Sequence, residues 1–364
     1  MNELHFAVCV GIDRYPGFPR RDLGSARGDA EAFRDWLLAE GGGGLPPDNM
    51  RLVTASPEET WPPGDARPQQ REINKALNEF NNRLRAHLRE RPEDWPRTRL
   101  YIYGAGHGIG PPDGECAVLM ADAEIEMLGN NIELSEYREW YRRSGLFHEV
   151  VIFADCCREI GIGIPLANRP PFSERQDHVP PQTVGFTGYA AGLGGVAFEP
   201  TDPWQPADAA ERDRARGYFT RVLLDGLRGG TLGRRTGSIT STALAEYVQS
   251  EVEKLTRDVA PFPQEAEFRT PSQPIVFSVA PSEPTRRRVT IRFPAGFTGT
   301  VGLEPDPTAQ PSSWSASDGP WEIAVPDGLY WVKPVGRGDM TTTPAGSSGD
   351  WIFKVVGADT IVQL

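Results

Sequence analysis

One histidine and two adjacent cysteines carry the chemistry this sequence can do. His107 stands in Ala105-Gly106-His107-Gly108, and the cysteines stand about 50 residues later in Asp155-Cys156-Cys157-Arg158. A thiolate is a potent nucleophile and a neutral thiol a modest one, so an attacking cysteine needs a base beside it, and imidazole serves. Acyl transfer at such a thiol creates an oxyanion that backbone N–H groups stabilise. Glycine after His107 lets the chain approach a substrate carbonyl closely, so the N–H groups of Gly108 and Cys157 are the expected donors. Neighbouring residues at a strand end face opposite ways, so only one of Cys156 and Cys157 can meet His107.

Both groups follow apolar runs that read as buried strands, residues 98–103 before the histidine and 150–155 at the cysteines. Earlier, residues 4–12 and 49–54 read as strands. Helical spacing of apolar residues marks 23–40, 71–90 and 134–145. Further on, 183–189 and 274–279 read as strands, the latter closing the sheet, and 217–227 and 240–254 as helices. Strand and helix alternate, which is the pattern of a mostly parallel sheet covered on both faces. Such sheets bind ligands beyond the carboxyl ends of their strands, where His107 and Cys157 both fall. After about residue 281 the helical period disappears. Short alternating segments follow, as expected of a small antiparallel β-sandwich. The expected domains are 1–280 and 286–364, with 164–182 as an exposed, proline-rich loop.

The 364 residues carry a formal net charge of −12 and no basic block, which argues against nucleic acid or an anionic membrane surface as partner. The apolar run at 6–12 is short and followed by Asp13 and Arg14, so it reads as a strand and not as a leader. Four cysteines without a disulfide pattern fit a reducing, cytoplasmic setting. Cys9 and Cys116 read as small buried apolar residues, and His5, His87, His148 and His178 as structural or surface histidines.

The Gly-His-Gly and Asp-Cys-Cys-Arg segments resemble those of the caspase-like cysteine peptidases, in particular the metacaspase branch. The resemblance spans roughly residues 4–279 and includes Leu23 to Ala30, Gly185 to Gly192 and Gly217 to Leu224. It implies a caspase-like six-stranded sheet and a Cys157–His107 dyad, since the nucleophile of that branch lies two residues after an aspartate. It also implies that Asp29 and Asp155 line the S1 pocket. Two carboxylates there would hold guanidinium through charge-assisted hydrogen bonds, giving cleavage of protein or peptide substrates after Arg, with Lys as the second choice. Asp29 has a plainer reading as a helix-start carboxylate favoured by the macrodipole. The segment containing Ala190 is expected to pair with the substrate backbone by β-addition.

The resemblance further implies a zymogen processed within 164–182, at Arg169 or Arg175, by itself or by an activating protease or partner, in a stress, defence or cell-death setting. The chain departs from the branch at Arg158-Glu159 and at Ala105. No cofactor is expected. Calcium is the one metal to test, and the residues argue against it, with only Asp113 and Asp122 in the corresponding region and Asn130-Asn131-Ile132-Glu133 where paired aspartates would stand. Three other readings stand beside it. One is a catalytically silent scaffold. Another is a caspase-type enzyme cutting after Asp, its pocket lined by Arg20, Arg21 or Arg158. The third is a different cysteine hydrolase on the same kind of sheet, such as an amidase or thioesterase.

Overall fold

The computed structural model describes residues 2–18, 22–55, 60–111, 115–160, 170–173, 183–199, 216–230, 238–257, 260–279, 286–294, 296–297, 299–304, 313–326, 328–334, 351–355 and 360–363. The chain divides into two compact units, residues 1–228 with 238–278, and 229–237 with 279–364. Arg169 and Arg175 lie outside the described residues, and with them most of the expected processing loop; so do Arg20, Arg21 and Asp113. No helix among the described residues is long and apolar enough to cross a membrane.

The strands of the first unit are β1 (His5–Gly11), β2 (Met50–Thr54), β3 (Arg99–Ala105), β4 (Gly108–Ile109), β5 (Ala117–Leu119), β6 (Asn131–Glu133), β7 (Glu149–Asp155), β8 (Val184–Tyr189), β9 (Ser238–Thr240), β10 (Glu267–Arg269) and β11 (Val276–Val279). Its helices are α1 (Ala26–Leu38), α2 (Gln70–Glu90), α3 (Leu134–Ser144), α4 (Tyr218–Leu227) and α5 (Ser241–Thr256). Six strands form the central sheet in the order β10-β8-β7-β3-β1-β2, all parallel except β10. The sequence reading put residues 274–279 at the edge of this sheet. That segment instead pairs with β9 in a separate two-stranded sheet, and the edge is β10. Three residues, Glu267 to Arg269, are too few for alternation to stand out against the loops around them.

Strand alternation divides the sheet into two apolar faces. Phe6, Val8 and Val10 of β1, with Leu100, Ile102, Val150 and Ile152, pack in one cluster with Ile73, Leu77, Phe80 and Leu84 of α2. The opposite face is aromatic. Phe33 of α1 stacks on Tyr103 at 4.7 Å and meets Phe153 edge-on at 5.6 Å. Gly11 lets the first turn of α1 rest directly on the end of β1, because a Cβ there would lie 2.5 Å from the Ala26 carbonyl and 2.7 Å from the Ala30 Cβ.

Beyond the central sheet, β4, β5 and β6 make a small antiparallel sheet just after the histidine. The second unit holds β12 (Arg286–Arg292), β13 (Thr300–Glu304), β14 (Ser313–Ser315), β15 (Trp321–Pro326), β16 (Gly328–Pro334), β17 (Trp351–Val355) and β18 (Thr360–Gln363). These form two sheets, β15-β12-β18 and β14-β13-β16-β17, which share one buried apolar cluster that includes Val289, Val301, Trp321, Tyr330 and Val332. The pairing is antiparallel apart from β12 with β18, which are parallel.

Phe33→Ala would remove the ring that joins α1 to β3 and β7. Its loss is expected to destabilise the protein by about 3–5 kcal/mol in urea unfolding; a change below 1 kcal/mol would contradict this packing.

Candidate functional site

The register of the sheet sets the site. Ala105 of β3 pairs with Asp155 of β7, and the Gly106 N–H donates to the Asp155 carbonyl at 3.2 Å. His107 and Cys157 each follow two residues later, at matching places on adjacent parallel strands. Both line one cleft of about 100 Å³, together with Leu23, Asp29, Asp155, Ala197 and Glu199.

The two cysteines separate as alternation requires. Cys156 is buried, with its Sγ 3.4 Å from that of Cys116, and this contact together with burial pushes its thiol up. Cys157 is partly exposed to the cleft, and its thiol donates to the Ala197 carbonyl at 3.7 Å. Burial raises its pKa, the Ala197 contact acts the other way, and the charges of Glu159 and Asp155 add to the rise. The thiol is therefore at rest in its neutral form, and an attack would need the proton to pass to a base.

Leu119 N–H donates to the His107 carbonyl at 2.9 Å, and Gly108 pairs with Val118. Gly108 thus occupies a non-hydrogen-bonded position of the ladder, with its N–H turned away from β5. Gly110, two residues on, donates to the Glu159 carbonyl at 2.9 Å, so the Gly108 N–H points to the same side, toward the cysteine turn. A Cβ on Gly108 would lie 2.7 Å from both the Cys156 Cβ and the Cys157 carbonyl, so this position takes only glycine.

Asp29 is 1% exposed and lies on the cleft side of α1. Both its oxygens accept from the Gly217 N–H, at 3.2 and 3.1 Å. Asp155 Oδ2 accepts from the N–H and hydroxyl of Thr220 at 3.1 and 2.6 Å. The two carboxylates crowd the same glycine, since a Cβ on Gly217 would lie 2.7 Å from Asp155 Oδ2 and 2.9 Å from Asp29 Oδ2. Burial, then the Asp155 charge, holds Asp29 well above the usual carboxylate range, although the Gly217 N–H, the Ser25 side chain and the Arg216 charge act the other way. Burial pushes Asp155 up to about 6; its two Thr220 bonds act the other way and the charge of Glu199 adds to the rise.

Glu199 is a third carboxylate that sequence reasoning did not single out. It accepts from the N–H groups of Gly24 and Ser25, each at 3.0 Å, and from the Ser25 hydroxyl at 2.7 Å, and so holds the 197–199 segment to the start of α1. No motif surrounds it, and only the return of the chain past β8 brings it to the cleft. The same return displaces the role expected of Ala190. That residue is fully buried, its N–H donates to Ala154 and its carbonyl accepts from Gln264, so neither group can pair with a substrate. Ala197 and Phe198 line the cleft instead.

Arg158 is also unavailable to the cleft. Its side chain is 1% exposed. It donates to the carbonyls of Glu115 (2.6 Å) and Ala191 (3.0 Å), pairs with Glu267 at 2.6 Å and lies 4.2 Å from the Tyr189 ring centre. Of the three arginines considered for a pocket that reads Asp, Arg158 is turned away from the cleft, and Arg20 and Arg21 lie outside the described residues. Among the described residues no group of three or more His, Cys, Asp or Glu is placed to hold a metal ion.

No family model matches the sequence, and no curated protein does. Among solved structures, the chain is similar to caspase-1 from Spodoptera frugiperda, at 13% identity over 78% of this chain and 92% of that one, with a TM-score of 0.44. It is also similar to a structure described as pro-sf-caspase-1, at 11% identity over 76% and 94%, again with a TM-score of 0.44.

Two outcomes follow from this geometry. Arg158→Met would leave two buried carbonyls without their donor and Glu267 with only Arg269 at 3.6 Å, and is expected to cost about 1–3 kcal/mol in denaturant titration; a neutral result would contradict the network. Asp155 has a folded-state pKa raised to about 6 from an unfolded value of 3.8, so its contribution to stability is present in acid and lost as pH rises through about 6. Asp29→Asn removes the like charge facing it. Its thermal midpoint relative to wild type should therefore be higher at pH 8 than at pH 5, and the reverse order would refute the buried repulsion.

Proposed function

We propose that this chain is a cysteine endopeptidase that cleaves after arginine, and less readily after lysine. The observation that carries the reading is the cleft itself, in which a thiol and an imidazole share a small space with three carboxylates and no lining arginine or lysine among the described residues. Buried like charges destabilise one another unless a cation joins them, and a guanidinium offers donors for two carboxylates at once.

In the reaction, His107 takes the Cys157 proton as sulfur attacks the carbonyl carbon of the arginyl residue. The N–H groups of Gly108 and Cys157 hold the oxyanion. His107 then returns the proton to the departing amine, and water hydrolyses the thioester by the same route in reverse. Asp29, Asp155 and Glu199 hold the arginine head, so the scissile carbonyl is presented to sulfur.

The resting thiol favours a latent form, being neutral and tied to the Ala197 carbonyl. Activation by cleavage within 164–182, at Arg169 or Arg175, fits that state and belongs to the same proposal.

Fluorogenic peptides ending in Arg, Lys or Asp test it, with the chain intact and after limited proteolysis of 164–182. Activity on Arg is expected, lost in Cys157→Ala and retained in Cys156→Ala. Asp29→Asn should lower kcat/KM for the Arg peptide by about 10- to 100-fold, the scale of one or two charge-assisted hydrogen bonds. KM for that peptide should fall as pH rises through about 6, where Asp155 ionises. Cleavage after Asp, or none before and after proteolysis, would sink the reading.

A further inference from the structure

The β4–β5 ladder is opened at one place, and that place is His107. Gly108 pairs with Val118 and Ile109 with Ala117, so the next pair outward is His107 with Leu119. In an unbroken antiparallel ladder this pair would exchange two hydrogen bonds. One is made, from the Leu119 N–H to the His107 carbonyl at 2.9 Å. In place of the other stands the hydroxyl of Tyr15, which accepts from the His107 N–H at 2.9 Å and donates to the Leu119 carbonyl at 3.3 Å.

Tyr15 reaches this position from the loop after β1 and is 1% exposed. Its ring lies against the imidazole, with centroids 4.7 Å apart and planes at 53°. Phe18 approaches the imidazole from 6.1 Å and meets the Tyr15 ring edge-on. The neighbouring Gly106 has the space for this arrangement because it lacks a Cβ, which would run into the Tyr15 hydroxyl. One phenol therefore touches His107 twice, by a hydrogen bond to its main chain and by its ring against the side chain.

We infer that Tyr15 is a positioning residue for His107, its hydroxyl wedging the ladder open so that the imidazole keeps its place in the cleft it shares with Cys157. The inference rests on the reading of His107 as the base. Without the hydroxyl, the His107 N–H and Leu119 carbonyl would have to close on each other directly or take in water. Closure would draw His107 toward β5 and away from the cysteine turn. Tyr15 does not touch substrate, so its loss should fall on kcat and leave binding alone.

Tyr15→Phe in the full chain tests this. A displacement on the order of 1 Å can cost about 10²-fold in rate, so kcat on the Arg peptide should drop about 10- to 100-fold, with KM within about threefold of wild type. Alkylation of Cys157 by iodoacetamide, which needs no peptidase activity, should slow by at least about fivefold, because the base no longer reaches the thiol. A variant within about twofold of wild type in both measurements, or one whose loss falls on KM, overturns the inference. Should the variant not fold, amide hydrogen exchange at His107 in the wild type decides: protection supports the bond to Tyr15, and exchange at the rate of an unstructured amide overturns it. Should the wild type cleave no peptide before or after proteolysis of 164–182, the peptidase reading fails, and the alkylation rate alone decides the role of Tyr15.

Discussion

Two carboxylates, Asp29 and Asp155, are buried against the same glycine, and the arrangement of the cleft follows from keeping them there. Each charge loses its water, and each raises the cost of the other. What offsets that cost is backbone N–H groups at helix starts. Asp155 is held by the Thr220 N–H in the first turn of α4, and Asp29 by the Gly217 N–H just before it. Glu199 is held by the Gly24 and Ser25 N–H groups at the start of α1. These are the donors that no helix can satisfy internally, and they carry the positive end of the macrodipole. Two helices thus converge on one acidic cleft.

The second dependence is on β7. Its alternation sends Cys156 into the core beside Cys116 and Cys157 into the cleft, so adjacent, chemically identical side chains have separate fates. The residue after them keeps the turn in place. Arg158 buries a full charge behind the cysteine, satisfied by Glu267, two carbonyls and the face of Tyr189. Its main chain is paired as well, with the N–H to Gly195 and the carbonyl to Gly194. The turn that presents the thiol is therefore fastened to the glycine-rich segment leading to Ala197 and Glu199. Cys157, the carbonyl its thiol meets and the third carboxylate are thereby joined through one set of backbone contacts.

Much of this was legible in the sequence, and the reason is local. A strand announces itself by period two, a helix by a 3.6-residue apolar period, and a strand-tip polar residue by where the apolar run stops. His107 and Cys157 are each placed by their own strand, so residue pattern brought them to one edge of one sheet, whereas Asp29 and Asp155 were joined to them only through the resemblance. The amino-acid order likewise determined the parallel core of the fold and the change to short β segments after residue 281. Ala190 was misassigned and Glu199 overlooked for the converse reason. Which residue of a returning segment faces a cleft depends on turns and partners far along the chain, here Gln264 for Ala190 and Ser25 for Glu199. The same holds for β10, whose three residues become a strand only because β8 offers them an edge, and for Tyr15, whose hydroxyl lies beside His107 only when two loops meet. Sequence by itself determined the identities and strand-end placement of the chemical groups. Tertiary structure alone decided their surroundings, because burial, charge proximity and hydrogen-bond partners are properties of residues distant in the chain and adjacent in space.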